Sequence, residues 1–178
     1  MDARLKRIPW RTLVLITLTF LAYLPAMQGK FLWDDDDYII KNLTLRSLQG
    51  LWEIWSEPGR LPQYYPLTFS SFWMEYHFWG LNPFGYHIVN IFLHALNGLL
   101  VWRLLEELKV KHAWFVGLVF ALHPLHTESV AWITERKNTL SGFFFLTALI
   151  AYFRSRYLVS YFLFLPALFA KTVTGVFT

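Results

Sequence analysis

The chain of 178 residues is 56% hydrophobic and 20% aromatic, with 16% charged residues and a formal net charge of +4. Soluble domains carry about 25% charged residues, so this composition points to an integral membrane protein and excludes disorder, collagen-like repeats and coiled coil. Cysteine is absent, which removes a disulfide scaffold and cysteine-based nucleophilic or zinc chemistry.

The predicted elements follow the gaps between charges. Arg4, Lys6, Arg7 and Arg11 make residues 1–11 a basic N-terminus. The apolar block 12–28 reads as a first span. A signal peptide is the alternative, but the small-x-small cleavage pattern around Ala26 is poor and the apolar run is long. A loop follows over 29–84, and two aromatic stripes stand out in it. Leu48, Leu51, Trp52 and Trp55 fall at i, i+3, i+4 and i+7, and Phe69, Phe72, Trp73 and Tyr76 repeat that spacing. Pro58, Gly59, Pro62 and Pro66 break the chain between them. The stripes predict two amphipathic helices in the plane of the membrane interface, or else a small subdomain that packs both stripes inward.

Four more apolar blocks, 85–105, 113–133, 139–153 and 158–171, are read as further spans. They are joined by segments 106–112, 134–138 and 154–157, with 172–178 as an outer end. A span needs roughly 20 apolar residues, which the first two blocks meet and the last three meet with their polar ends counted. The expected fold is therefore all-α and membrane-integral, with about five transmembrane helices and two interfacial helices. Basic residues gather on cytoplasmic loops. Arg4 to Arg11, Lys109 with Lys111, and Arg154 with Arg156 then agree on a cytoplasmic N-terminus. The basic balance is topology, and no nucleic-acid partner is implied.

Three groups of residues could carry chemistry. Asp34, Asp35, Asp36 and Asp37 stand just past the first span, where adjacent carboxylates repel one another and an anionic surface makes them costlier still. They suit a divalent cation or a general base, or they are a solvated loop. His123, His126 and Glu128 close the third block around Pro124, and Glu135, Arg136 and Lys137 follow. Cations on the outer side suggest phosphate binding, or an ion pair of Arg136 with Glu128 or Glu135. His87, Asn90, His94 and Asn97 share one helix face. Such polar groups bond neighbouring helices or line a path, and His87, nearest the outer surface, is the candidate exception. The sequon Asn42-Leu43-Thr44 lies in the outer loop.

Taken in order, Trp33 to Tyr38, Tyr64 to Thr68, Gly80 to His87 with Asn90 and His94, and Phe120 to Asn138 resemble a known family. It is that of the bacterial tetratricopeptide-repeat membrane proteins related to the transmembrane O-mannosyltransferases, which are GT-C-type glycosyltransferases. The resemblance spans about residues 30 to 170. It implies a partial GT-C fold and transfer of a sugar from a polyprenyl-phosphate donor to a protein or glycan acceptor at the outer face of a bacterial inner membrane. By position it implies that Asp34 and Asp35 are catalytic, with Asp36 a further possible ligand of Mg or Mn. It also implies that His123, His126, Glu128, Arg136 and Lys137, with Tyr65 and His87, contact donor phosphate or substrate. Family members continue through more spans and a repeat domain, and they read Ser-Lys-Pro where this chain has Ala170-Lys171-Thr172. The expectation is therefore an N-terminal piece, with a second chain as a possible source of the missing spans and a non-catalytic scaffold as the alternative function.

Overall fold

Each charge-poor block becomes a helix, and local chemistry sets where most of them start and stop. A computed structural model describes residues 8–172; Arg4, Lys6, Arg7 and residues 173–178 lie outside the described residues. Among the described residues eight α-helices run in order: α1 Ile8–Ala22, α2 Leu48–Ser56, α3 Pro66–Trp79, α4 Pro83–Glu107, α5 Ala113–Leu122, α6 Thr127–Ala131, α7 Arg136–Phe153 and α8 Tyr157–Ala170. Among the described residues there is no strand. Ser47 caps α2, its hydroxyl oxygen accepting from the Gly50 N–H at 3.0 Å. Asn82 caps α4 in the same way toward Phe84, with Pro83 in the first turn where its missing N–H costs nothing. Gly80 ends α3 at φ +56°, a conformation that a Cβ would disfavour.

Helix α4 is the hub, packing against α1, α5 and α7, while α8 folds back along α7. The approach of α4 to α5 is close because glycines face each other. A Cβ on Gly98 would stand 2.9 Å from the Ala121 Cβ, and one on Gly117 would stand 2.8 Å from the Gly98 carbonyl oxygen. The polar stripe of α4 is spent on this packing. Asn90 donates to the Trp132 and Ile133 carbonyls at 3.1 and 3.3 Å, and Asn97 donates to the Thr139 carbonyl at 2.8 Å. His94 Nε2 meets the Ala121 carbonyl at 3.0 Å, which makes that nitrogen the donor. Three of the four stripe residues therefore clip α4 to its neighbours, as expected for polar groups between apolar helices. His87 is buried against the backbone of Gly29.

By length and composition one helix among the described residues, α4, is long and apolar enough to cross a membrane; at 25 residues it is about 37 Å long. Trp10–Ala22, Ala113–Leu122 and Tyr157–Ala170 are apolar but shorter. The third predicted span differs most from expectation. Its helix stops at Leu122, because His123 precedes Pro124 and takes the extended conformation that proline imposes on its predecessor (ψ 130°). Residues 123–135 then fold as the short turns Pro124–His126, Thr127–Ala131 and Ile133–Glu135.

The long loop has its own core, and its two stripes behave differently. Phe69 and Phe72 of α3 are buried with Tyr38, Ile39, Leu45, Ile54, Leu61, Tyr65, Tyr86 and Ile133. The α3 stripe thus packs inward. On α2 it is Ile54 and Gly50 that face this core, while Leu48 and Trp52 are 75% and 73% exposed. The sequon asparagine is folded in as well. Asn42 is buried, its side chain bonded to the Tyr38 carbonyl and to the Thr44 N–H and hydroxyl.

Candidate active site

The acidic run is pinned to the start of α7 by one of its own members. Asp35 is 1% exposed. Its Oδ2 accepts from the Leu32 N–H at 2.8 Å and its Oδ1 accepts from the Thr134 N–H at 3.0 Å, a link between residues 99 apart in sequence. Burial pushes the Asp35 carboxyl above the usual carboxylate range. The two amide donors oppose that shift, and the charge of Asp34 adds to it. One amide donor on each oxygen makes Asp35 a clamp between the two segments. Asp34 beside it is exposed. Trp33, at φ +47°, turns its ring edge-on to Trp132 at 5.1 Å, a second contact between the same two segments.

Tyr38 forms the floor between these segments. It is buried, stacks on Phe69 at 5.0 Å and donates from its hydroxyl to Gln63 Oε1 at 2.8 Å. Burial pushes the Tyr38 hydroxyl well above its ordinary value, and the nearby Tyr65, Asp34 and Glu135 push it further the same way. On the far side Lys137, 9% exposed, stands 5.6 Å from the Tyr38 ring centre and pairs with Glu135 Oε1 at 2.8 Å. Asn138 donates to the Ser129 hydroxyl oxygen at 3.1 Å and also to Glu135. Lys171, at the end of α8, reaches across to donate to Asn138 Oδ1. The α8 terminus is held in place by the Thr68 hydroxyl, which donates to the Ala170 carbonyl at 3.0 Å. The acidic run, α3 and the start of α7 therefore meet around Tyr38, and Asn138 ties the end of α8 to the same cluster.

Arg136 lies behind this cluster. It is fully buried and ion-paired with Glu75 of α3, not with Glu128 or Glu135. Its Nε donates to Asn90 Oδ1 at 2.6 Å and its Nη2 to the Tyr86 carbonyl at 2.8 Å, and the guanidinium centre is 4.9 Å from the Phe72 ring. Every face of the cation is taken by protein. The expectation that Arg136 binds a phosphate is thus replaced by a structural one: it joins α3, α4 and α7. A buried pair of this kind is costly to form and costlier to break.

The remaining predicted residues sit elsewhere. Tyr65 is buried in the loop core. His123 is exposed, and its Nδ1 accepts from the Leu125 N–H at 3.2 Å, a local cap. His126 packs tilted against Phe120 at 4.4 Å and lies 5.2 Å from His94, while Glu128 is exposed. Asp36 and Asp37 turn toward Lys41, at 3.9 and 3.1 Å. Of the expected Mg or Mn ligands, Asp35 accepts from the Leu32 and Thr134 amides and Asp36 faces Lys41, and among the described residues no group of three such side chains is placed to hold a metal. This donor set does not fit a divalent cation. Glu75, Lys171, Asn138 and Tyr38 are the residues that sequence reasoning missed. A carboxylate in the aromatic stripe of α3, three places after Phe72, was the available signal for Glu75. Lys171 had only its position after the last apolar block.

The chain is 34% identical over 158 residues to a protein O-mannosyl-transferase of Caenorhabditis elegans, an alignment covering 81% of this chain and 23% of that protein. It is also 34% identical over 148 residues to protein O-mannosyl-transferases of Xenopus laevis and of Homo sapiens, covering 77% and 76% of this chain and 18% and 17% of those proteins. The chain spans about a fifth of the length of these curated relatives. No family profile matches it, and no solved structure does. Each of these relatives is named a protein O-mannosyl-transferase.

Proposed function

We propose that this chain is the catalytic membrane part of a glycosyltransferase that moves a sugar from a polyprenyl-phosphate donor to a hydroxyl-bearing protein or glycan acceptor at the outer face of a bacterial inner membrane. The observation that carries this reading is the convergence around Tyr38. Asp34 is exposed and its charge acts on Tyr38, Lys137 stands 5.6 Å from the Tyr38 ring, and the two segments are locked together through Asp35 and Thr134. In the proposed topology α1, α4, α5, α7 and α8 cross the bilayer with the N-terminus in the cytoplasm, and the short α5 gains thickness from the turns that follow it. Exposed apolar side chains on α1, α5 and α8, such as Leu13, Phe115 and Phe162, suit lipid contact. On α2, Leu48 and Trp52 suit the interface. A second chain that completes the bundle is part of the proposal.

The chemistry needs a base, an electrophilic carbon and a stabilised leaving group. Asp34 takes the proton of the acceptor hydroxyl as its oxygen bonds to the anomeric carbon. The bond from that carbon to the phosphate oxygen breaks, and the electron pair leaves with the lipid phosphate. Lys137 faces the negative charge that develops there. Asp35 and Arg136 are positioning residues in this scheme, one holding Asp34 in register and the other fixing the start of α7. His123, His126 and Glu128 form the outer wall on the donor side.

Membranes containing the protein, supplied with radiolabelled mannosyl polyprenyl phosphate, should label an acceptor fraction. Asp34→Asn should abolish the labelling while leaving the amount of folded protein unchanged. Labelling that persists in the Asp34→Asn membranes would refute the assignment.

A further inference from the structure

The cations at the outer face are not equally matched. Arg136 has Glu75, and Lys137 has Glu135. Lys171 is half-buried at the end of α8, and among the described residues its side chain is partnered by an amide oxygen, that of Asn138, rather than by a carboxylate. Lys171 is joined to Lys137 through Asn138 and Glu135, so a single carboxylate serves both ammonium groups, and partial burial of the one without a carboxylate carries a desolvation cost. Lys171 also lies on the side of the membrane where cations are disfavoured by topology. Such a site is stabilised by an anion that can bridge the two ammonium groups.

We infer that Lys171 seats the phosphate of a polyprenyl-phosphate lipid, between itself, Asn138 and Lys137, and that it is the principal phosphate-contacting residue of the site. This rests on the function proposed above. One unmatched ammonium fits the single negative charge of a phosphodiester. When the sugar leaves, the phosphate monoester gains charge, and Lys137 meets it by turning from Glu135. Asn138 fixes the geometry because its Oδ1 orients Lys171 while its Nδ2 stays on Ser129 and Glu135. Lys171 is compact and strongly hydrated and acts as a point charge, so Arg, Gln and Met at this position separate charge from size.

Native mass spectrometry of the purified chain in detergent tests the assignment. The probes are polyprenyl monophosphate, polyprenol without phosphate, and phosphatidylglycerol. Polyprenyl monophosphate should bind, and polyprenol should not. Lys171→Met should weaken monophosphate binding about tenfold or more, the scale expected for losing a charge-assisted contact, while Lys171→Arg retains most of it. Lys109→Met, on the opposite side, should leave binding unchanged. Equal binding by wild type and Lys171→Met overturns the inference and leaves the donor reading standing. Binding that depends on Lys171 but is confined to phosphatidylglycerol also overturns the inference, and it removes the donor reading too. An intact mass of the variant with wild-type thermal stability guards against misfolding. If Lys171→Met is unstable, Lys171→Gln supplies the same charge loss and the same decision.

Discussion

Replacing Arg136 separates a structural cation from a ligand-binding one. Arg136→Met removes the charge from a site with no solvent access and leaves Glu75 buried without its counter-ion. Breaking a buried pair from one side costs about 3–5 kcal/mol. The Asn90 side-chain oxygen and the Tyr86 carbonyl lose their donors as well, each worth about 1–3 kcal/mol when nothing replaces it. These losses share one cavity and do not add in full, so a total of about 4–6 kcal/mol is expected. That is a large part of the ~5–15 kcal/mol that holds most folds together. Glu75→Leu combined with Arg136→Met removes both charges and should recover at least about 2 kcal/mol relative to the sum of the single changes. Unfolding in mixed micelles of graded dodecyl sulfate content, followed by near-UV circular dichroism, measures each variant. The reasoning fails if Arg136→Met unfolds at the wild-type midpoint yet loses sugar transfer. That result would make Arg136 a substrate contact after all.

Asp35 gives the chain a pH dependence of known sign. Its folded-state value lies above the ordinary one because burial opposes its charge, so its contribution favours folding at low pH and is lost as pH rises from the unfolded value near ~3.9 through the raised folded value. The midpoint of wild type relative to Asp35→Asn should therefore fall across that window, and a difference that rises would contradict the burial assigned to Asp35. Trp52, exposed on α2, should be quenched by brominated phospholipids in reconstituted vesicles. Trp52→Ser should remove a fraction of that quenching that Trp102→Phe does not. Gly117→Leu places a side chain where a Cβ alone already meets the Gly98 carbonyl and Trp102. It should cost about 1–3 kcal/mol, read in the same dodecyl sulfate titration; an unchanged midpoint would mean that α4 and α5 are not in close contact.

Much of the helical framework was legible in the sequence because burying charge is costly and most charges therefore fall at or between the helix ends. The limits of α4, α7 and α8 fall within a few residues of the gaps between charges, and the α4 stripe of Asn90, His94 and Asn97 bonds neighbouring helices as its spacing implies. The third block shows where that reading stops. Hydropathy averages over Pro124, whereas the backbone cannot, so the helix ends at Leu122 and the next thirteen residues become turns. The two loop stripes had identical spacing, and only packing distinguished them: α3 is covered by Tyr38, Ile39 and Tyr86, and α2 has nothing over Leu48 and Trp52.

The sequence by itself determined that this is a helix-rich, aromatic-rich chain whose candidate site residues fall mainly in two short runs, Asp34 to Asp37 and His123 to Lys137. It also named Asp34 and Lys137 among the candidates. Tertiary structure decided how each member is held: Asp34 is exposed, and Lys137 is buried and paired with its near neighbour Glu135. Asp35 and Arg136 have the same charges as their neighbours Asp34 and Lys137. They are nevertheless withdrawn from solvent because their partners, the Thr134 N–H and the Glu75 carboxylate, lie 99 and 61 residues away in sequence. Pairings at such separation leave no periodic trace, since they depend on how the helices cross rather than on any local pattern. For the same reason Lys171, one residue past the last helix, meets Asn138 only because α8 folds back along α7.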